Sequence, residues 1–157
     1  MPQVTYPGSD ECNCLAVRQA ARHVTQFYDQ FLAPVGLRTT QFSILAKLRR
    51  MSAMTINALA KEMVMDRTTL GRNILPLERD GLIAVTKGST DARSKELRLT
   101  EAGLARLRQA APGWVEAQSQ FETAFGKTRT RELRGLLHAV SASDLGGVAA
   151  DSAKTDL

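Results

Sequence analysis

Residues 55–99 contain the feature that most constrains the fold: two short helical patterns, a tight turn between them, and a hairpin pattern after them. Thr55 and Asp66 stand immediately before the two helical patterns, where N-cap residues are expected. Strand patterns at residues 82–85 and 96–99 flank a loop rich in turn-forming residues. The segment therefore predicts a helix–turn–helix followed by a two-stranded hairpin.

The second of these helices presents polar side chains near its start. Leu70, Ile74 and Leu77 repeat at helical spacing and form its predicted inner face. Side chains off that face can reach the phosphates and base edges of duplex DNA, because the major groove admits an α-helix. The residues expected to contact DNA from this helix are Arg67, Thr68, Thr69, Arg72 and Asn73. The hairpin is expected to add three more contacts, from Lys87, Arg93 and Lys95.

The positive charge of the chain is concentrated on the same segment. The formal net charge is +5 over 157 residues. Residues 38–99 carry +6, residues 1–37 carry −1, and residues 100–157 are neutral. Phosphate binding is the simplest use of this concentration, because a surface that served only solubility would not single out one lobe. The aromatic content of 5% leaves few surfaces on which single-stranded bases could stack.

The remaining segments predict a second lobe. The chain is expected to divide into a flexible arm at residues 1–10, a DNA-binding lobe at 38–99, a helical lobe built from 11–37 and 100–143, and a disordered tail at 144–157. Apolar stripes lie on helices at both ends of the chain, and one copy offers them little to pack against. A homodimer is therefore expected. Its two reading helices would lie about 34 Å apart, which implies a near-palindromic operator.

Three local patterns lead to more specific expectations. Thr39 or Thr40 is expected to cap a helix that runs to about Arg50. Pro76 removes a hydrogen bond from the helix that follows Asp66, so its last turn should be kinked or loosened. Pro112–Gly113 is expected to bend the long helix that follows Thr100 or to split it in two.

Other function classes find little support in the sequence. A glycine-rich phosphate loop, a nucleophile elbow and a metalloprotease motif are all missing, so an enzyme is not expected. Cys12 and Cys14 are too close together to frame a secreted disulfide scaffold, and they supply too few ligands for a metal site. No metal or cofactor is expected. The N-terminus lacks the apolar core of a signal peptide and no membrane span is apparent, so a cytoplasmic protein is expected.

Taken together, residues 55–83, the run DARSKELRLTEAG that begins at Asp91, and LAPVGL before the second helix resemble the MarR family of winged-helix repressors. The resemblance extends over about residues 13–140. It implies a mainly α fold with a small β part (α+β), a winged helix–turn–helix with a two-stranded wing, and N- and C-terminal helices that interlock in a dimer. It also implies that Arg93 at the wing tip enters the minor groove and that Asp91 braces Arg93 or the wing backbone.

The resemblance further implies that a signal releases the DNA, and two signals remain open. Members of the family bind aromatic acids or their thioesters in a cleft between the two lobes. The residues expected to form such a site here are Arg18, Arg22, His23, Phe27 and Tyr28. In the other alternative, Cys14 is a peroxide-sensing thiol. Its position resembles that of the reactive cysteine in the OhrR branch, although Arg18 and Thr39 stand where that branch has tyrosines.

A third reading makes the chain a protein–protein adaptor that reuses a winged-helix fold. An adaptor would be nearly indifferent to duplex DNA, whereas a regulator that contacts several phosphates would lose affinity steeply with salt.

Overall fold

A computed structural model describes residues 1, 8–88, 91 and 93–146 of the chain. Most of the predicted arm, residues 2–7, lies outside the described part, as do residues 147–157 of the predicted tail and residues 89, 90 and 92 of the hairpin loop. The elements in chain order are α1 (Asn13–Leu32), α2 (Thr39–Met51), β1 (Met54–Thr55), α3 (Ile56–Glu62), α4 (Arg67–Arg79), β2 (Ile83–Lys87), β3 (Lys95–Leu99), α5 (Glu101–Phe125) and α6 (Lys127–Ala142). The predicted mainly α fold with a small antiparallel sheet is confirmed.

Threonine side chains cap the starts of α3 and α5. The hydroxyl of Thr55 accepts a hydrogen bond from the backbone N–H of Ala58 at the start of α3. The hydroxyl of Thr100 accepts one from Gly103 at the start of α5. Each cap satisfies a backbone donor that the first turn of a helix leaves unpaired.

The predicted cap of α2 is wrong. Arg38 is the N-cap residue, and Thr39 is already helical. The backbone N–H and the hydroxyl of Thr39 both donate to Asp29 Oδ1, each at 2.7 Å. A carboxylate on α1 therefore performs the role expected of a local threonine, because it can accept both hydrogen bonds at once. The contact also ties α1 to the first turn of α2.

The sheet contains one strand more than the predicted hairpin. β2 and β3 pair antiparallel, with Val85 opposite Leu97, and form the two-stranded wing. On its other edge β3 pairs with β1, where Met54 lies opposite Leu97. β1 is only two residues long, too short for a period-two pattern to reveal it. It anchors the base of the wing to the start of α3.

One hydrophobic core joins the helix–turn–helix to the sheet and to α5. Its fully buried side chains are mostly leucines from α1–α4 and the strands, and they include Leu32, Ile44, Leu45, Leu48, Leu59, Leu70, Leu77 and Leu97. Leu107 and Ala110 extend this core into the first half of α5. In the described part of the chain, α4 therefore packs through its inner face, which Leu70, Ile74 and Leu77 form.

The two prolines within helices do not interrupt them. α4 continues through Pro76 to Arg79, and α5 is one helix of 25 residues that contains Pro112. The predicted split at Pro112–Gly113 is therefore wrong. The glycine has a different role, because a Cβ at Gly113 would lie 2.5 Å from the carbonyl oxygen of Phe31. Gly113 lets α1 and α5 approach closely.

Two non-glycine residues with positive φ lie at the ends of the segment that holds α3. Ser52 has φ 66° before β1, and Val64 has φ 52° in the turn between α3 and α4. A β-branched residue is strained in this region, by about 1–2 kcal/mol relative to a right-handed conformation. Val64 is 74% exposed, so its side chain gains little packing in return.

Candidate nucleic-acid interface

The start of α4 is fixed by Asp66. Its carboxylate accepts hydrogen bonds from the backbone N–H of Thr69 at 2.8 Å and from the Thr69 hydroxyl at 2.7 Å. These hydrogen bonds lower the pKa of Asp66, so the cap is ionised at neutral pH. A negative charge at this end also matches the helix dipole. Arg67 and Thr68 are exposed in the first turn that Asp66 orders.

The body of α4 has an inner and an outer face. Leu70, Ile74 and Leu77 are buried, as predicted. At about 100° per residue, four other positions fall within about 60° of one another on the opposite side of the helix. These positions are Thr68, Arg72, Leu75 and Arg79, and all four are exposed. We call them the outer stripe of α4. Of these residues, the sequence prediction includes only Thr68 and Arg72.

The predicted contact residues of α4 differ in their availability. The Thr69 hydroxyl donates to Asp66, and Asn73 Nδ2 donates to the carbonyl oxygen of Thr69 at 2.9 Å. Asn73 is also half-buried. In contrast, within the described residues no hydrogen bond or ion pair engages the guanidinium group of Arg67 or Arg72. These arginines can donate to phosphates or to base edges without breaking a contact, whereas Asn73 must exchange one.

The wing carries the second set of predicted residues. Lys87 and Lys95 pair across the ladder at the end nearest the loop, and both are exposed. Asp91 Oδ1 accepts a hydrogen bond from the backbone N–H of Arg93 at 2.9 Å. The carbonyl oxygen of Asp91 accepts from the backbone N–H of Ser94 at 3.1 Å and from its hydroxyl at 2.9 Å. Asp91 thus organises the backbone that presents the exposed Arg93.

A cleft of about 250 Å³ lies where α1, α2, α5 and α6 meet. Tyr28, Phe42, Trp114 and Phe121 supply its aromatic walls, and Arg134 supplies a positive charge. The rings of Phe42 and Trp114 stack with centroids 6.0 Å apart and join α2 to α5. Trp114 and Arg134 were not predicted as cleft residues, because nothing local in the sequence indicates that helices so far apart in the chain meet there.

Polar groups within the cleft are only partly satisfied. The hydroxyl of Tyr28 donates to Gln118 Oε1. Burial raises the pKa of Tyr28, although nearby Arg134 opposes this, so the phenol stays protonated at neutral pH. Thr130 is 6% exposed, and its hydroxyl has no partner among the described residues. Because an unpaired buried hydroxyl costs about 1–3 kcal/mol, this position is suited to a polar ligand atom.

The predicted ligand residues are only partly brought together. Tyr28 lines the cleft, and Phe27 lies edge-on to Tyr28 with ring centroids 5.7 Å apart. Three of these residues are exposed on α1 and do not line the cleft, namely Arg18, Arg22 and His23. Their placement follows from the helix register, because the cleft meets α1 only at Val24 and Tyr28. The arginine that lines the cleft is Arg134.

Both cysteines lie at the start of α1 and are exposed free thiols. Cys12 is the N-cap residue, and its Sγ accepts from the backbone N–H of Leu15 at 3.4 Å. Cys14 follows in the first turn. Within residues 8–88, 91 and 93–146, no three His, Cys, Asp or Glu side chains are grouped as a metal site would require. The helices of the same part of the chain are too short or too polar to cross a membrane.

Sequence comparisons match the segment that holds the helix–turn–helix and the wing to known regulators. The family model described as MarR family matches residues 37–95. An HTH-type transcriptional regulator of Bacillus cereus, itself described as uncharacterized, is 31% identical over 96 residues. That match covers 61% of this chain and 63% of the relative, so the chain spans less than two thirds of the length of the curated relatives it matches.

Solved structures extend the similarity to the helical lobe. The M. tuberculosis transcriptional regulator MosR in complex with DNA is 40% identical. The match covers 84% of this chain and 98% of MosR, with a TM-score of 0.73. BpsR of Bordetella bronchiseptica, whose DNA binding is regulated by 6-hydroxynicotinic acid, is 21% identical. It shares the fold with a TM-score of 0.78 over 89% of this chain and all of BpsR.

Proposed function

The chain belongs to the MarR family of DNA-binding transcriptional regulators, and we propose that it is a dimeric, sequence-specific repressor that a small aromatic anion releases from duplex DNA. Family membership confirms the predicted non-enzymatic class. The observation that carries the DNA-binding proposal is the geometry of α4. Thr68 and Arg72 project away from the buried face, on the lobe that holds the whole basic excess. Arg93 at the wing is suited to the adjacent groove.

The exposed apolar side chains support the proposed dimer. Several large apolar residues outside the DNA lobe are exposed in the single chain, namely Val17 on α1, Val115 on α5, and Leu136, Leu137 and Val140 on α6. They lie on the helices of both chain ends, which the family uses for dimerisation. A two-fold dimer would bury these side chains and would present two copies of α4 to a near-palindromic operator.

Salt dependence tests the DNA-binding proposal against the adaptor reading. If each protomer uses Arg67, Lys87 and Lys95 on phosphates, a dimer makes about six phosphate contacts. Its affinity for duplex DNA should then fall by about 10³-fold or more between 50 and 200 mM salt. Fluorescence anisotropy with a labelled duplex measures this directly. A decrease below about tenfold over the same range would favour an adaptor and contradict the proposal.

The ligand part of the proposal rests on the cleft between the lobes. Its aromatic walls suit a planar ring, and Arg134 can pair with a carboxylate. The unpaired Thr130 hydroxyl offers one further polar contact. The guanidinium of Arg134 lies 3.8 Å from Glu122, so an entering anion would compete with that half-buried carboxylate for the arginine. A ligand wedged beside the Phe42–Trp114 stack would disturb the junction that orients α2 relative to α5.

Tryptophan fluorescence tests the cleft, because Trp114 is the only tryptophan of the chain. Benzoate should change the Trp114 emission in a saturable manner. Arg134→Met should weaken that binding by about tenfold or more, because it removes a charged hydrogen-bond donor. Arg131→Met is the matched control, since Arg131 is exposed on the same helix and does not line the cleft. Unchanged emission at saturating benzoate, or equal affinity in both variants, would contradict the assignment.

The thiol switch is the second candidate, and the exposure of Cys14 favours it. Its thiol lies exposed in the first turn of α1, where an oxidant has access. An organic hydroperoxide would oxidise the thiol to a sulfenic acid and would itself be reduced to an alcohol. If Cys14 is the sensor, the hydroperoxide should release DNA from the wild type and from Cys12→Ser but not from Cys14→Ser. Equal release from all three proteins in a gel-shift assay would eliminate Cys14.

A further inference from the structure

The outer stripe of α4 contains one large apolar side chain. Leu75 is 65% exposed and lies in the middle of the helix, three residues after Arg72. Its position opposite Leu70, Ile74 and Leu77 means that it contributes nothing to the core of the chain. An exposed leucine is unremarkable on an ordinary surface. The proposed function places this face of α4 in the major groove. Removing Leu75 from water there would be favourable only if it packed against an apolar group of the DNA.

The charged neighbours of Leu75 restrict what can cover it. Arg72 and Arg79 flank it on the same stripe. Among the residues that the structure describes, Arg79 pairs with the adjacent Asp80 alone, at 3.2 Å. The lobe around them carries +6. A second copy of this chain would bring like charges together at this face. Duplex DNA instead offers phosphates to the arginines, so charge complementarity favours a nucleic acid as the occupant.

The chemistry of the major groove further restricts which base Leu75 can contact. Thymine is the base that presents an apolar group in the major groove, its C5-methyl, whereas the other base edges present hydrogen-bond donors and acceptors. An aliphatic side chain pressed against those edges would leave them dehydrated and unpaired. We propose that Leu75 contacts the C5-methyl of a thymine and thereby selects thymine at one position of each half-site. This inference rests on the DNA-binding function proposed above.

The helix geometry also indicates where the thymine lies. Leu75 is about 4.5 Å further along the helix axis than Arg72. This distance is close to one base-pair step of about 3.4 Å. The thymine is therefore expected next to the base pair that Arg72 contacts.

Removing one methyl group at a time from the DNA tests the contact between Leu75 and thymine. A duplex selected by the wild-type protein from a randomised pool is resynthesised with deoxyuridine in place of each thymine in turn, which removes only the C5-methyl group. For the wild type, uracil at one position should weaken binding about fourfold. Uracil at both that position and the symmetry-related position should weaken binding about 15-fold in total. Leu75→Ala should be insensitive to uracil at that position. Leu75→Met, which keeps an apolar side chain of similar reach, should remain sensitive.

The outcomes separate this inference from the function on which it rests. If no duplex is enriched or bound, the DNA-binding function itself fails. If the wild type binds its selected duplex but tolerates uracil at every position, the methyl contact is overturned and DNA binding stands. The inference is equally overturned if Leu75→Ala keeps the uracil sensitivity of the wild type. Because Leu75 is exposed, these variants should retain the wild-type melting temperature, which verifies that they fold.

Discussion

Gly103→Ala is expected to destabilise the protein by about 3 kcal/mol or more, equivalent to a decrease of about 6–12 °C in melting temperature. A Cβ at this position would overlap the backbone carbonyl oxygen of Leu82 and would lie 2.7 Å from Leu99 Cδ1. The carbonyl group has little freedom to move, because it accepts a hydrogen bond from the backbone N–H of Thr100 at 3.2 Å. The Thr100 hydroxyl also donates to the carbonyl oxygen of Gly81 at 2.6 Å, which holds the same turn.

Gly71→Ala is the matched control for this prediction. Gly71 lies within α4, and a Cβ there would meet no atom within 4 Å. The same substitution should therefore stabilise the protein by up to about 1 kcal/mol, through helix propensity alone. Thermal unfolding followed by circular dichroism measures both variants. If the two substitutions changed the melting temperature by the same amount, the close packing of α5 against the turn that precedes β2 would be contradicted.

Arg72→Ala is expected to lower the affinity for a selected duplex by at least about 30-fold. Arg72 is exposed on the outer stripe, and its guanidinium can donate two parallel hydrogen bonds to the major-groove edge of guanine. Each lost contact is worth about 1–3 kcal/mol, and a symmetric dimer loses it twice. The variant should also discriminate less between bases at the contacted position, because the arginine reads a base edge as well as supplying charge.

Arg22→Ala provides the matched control, since Arg22 is an exposed arginine on α1, outside the basic lobe. It changes the net charge by the same amount and should leave the affinity within about twofold, as expected for one distant charge screened by physiological salt. Anisotropy titrations of both variants at one salt concentration provide the comparison. If Arg72→Ala bound the selected duplex as tightly as Arg22→Ala, Arg72 would not be a base contact.

Local signals in the sequence were sufficient for the helix–turn–helix. Thr55, Asp66 and Thr100 are caps whose side chains bond to their own helices, so their role depends on nearby residues only. The inner face of α4 likewise follows from spacing alone. The wing strands could be predicted because alternation and turn residues identify a hairpin without knowledge of its surroundings.

The features that were missed depend on contacts between distant segments. Asp29 replaces a threonine cap on α2 from ten residues away, and α5 tolerates Pro112 because its packing against α1 holds the helix together around Gly113. β1 exists only because β3 passes beside it. In each case the deciding contact joins two separate elements, and a periodic pattern within one element does not reveal it.

The residues that line the cleft could not all be predicted, for the same reason. Tyr28 was predicted from helix α1, yet the cation beside it comes from Arg134, 106 positions later in the chain. Tyr28 lies on the same helix as Arg18, Arg22 and His23, but the side chains of those three residues point in other directions. Proximity along the sequence therefore suggested arginines that do not line the cleft, because the cleft meets α1 at Val24 and Tyr28 and takes its arginine from α6.

The central claim is that the outer stripe of α4 reads base sequence in duplex DNA. The most direct measurement is the ratio of dissociation constants for a scrambled duplex and for a duplex selected from a randomised pool, determined by competition anisotropy near 150 mM salt. The account predicts a ratio of about 10³ or more, as for specific regulators in general. A ratio near one, with both duplexes bound equally, would show that the basic lobe binds phosphates without reading bases and would contradict the account.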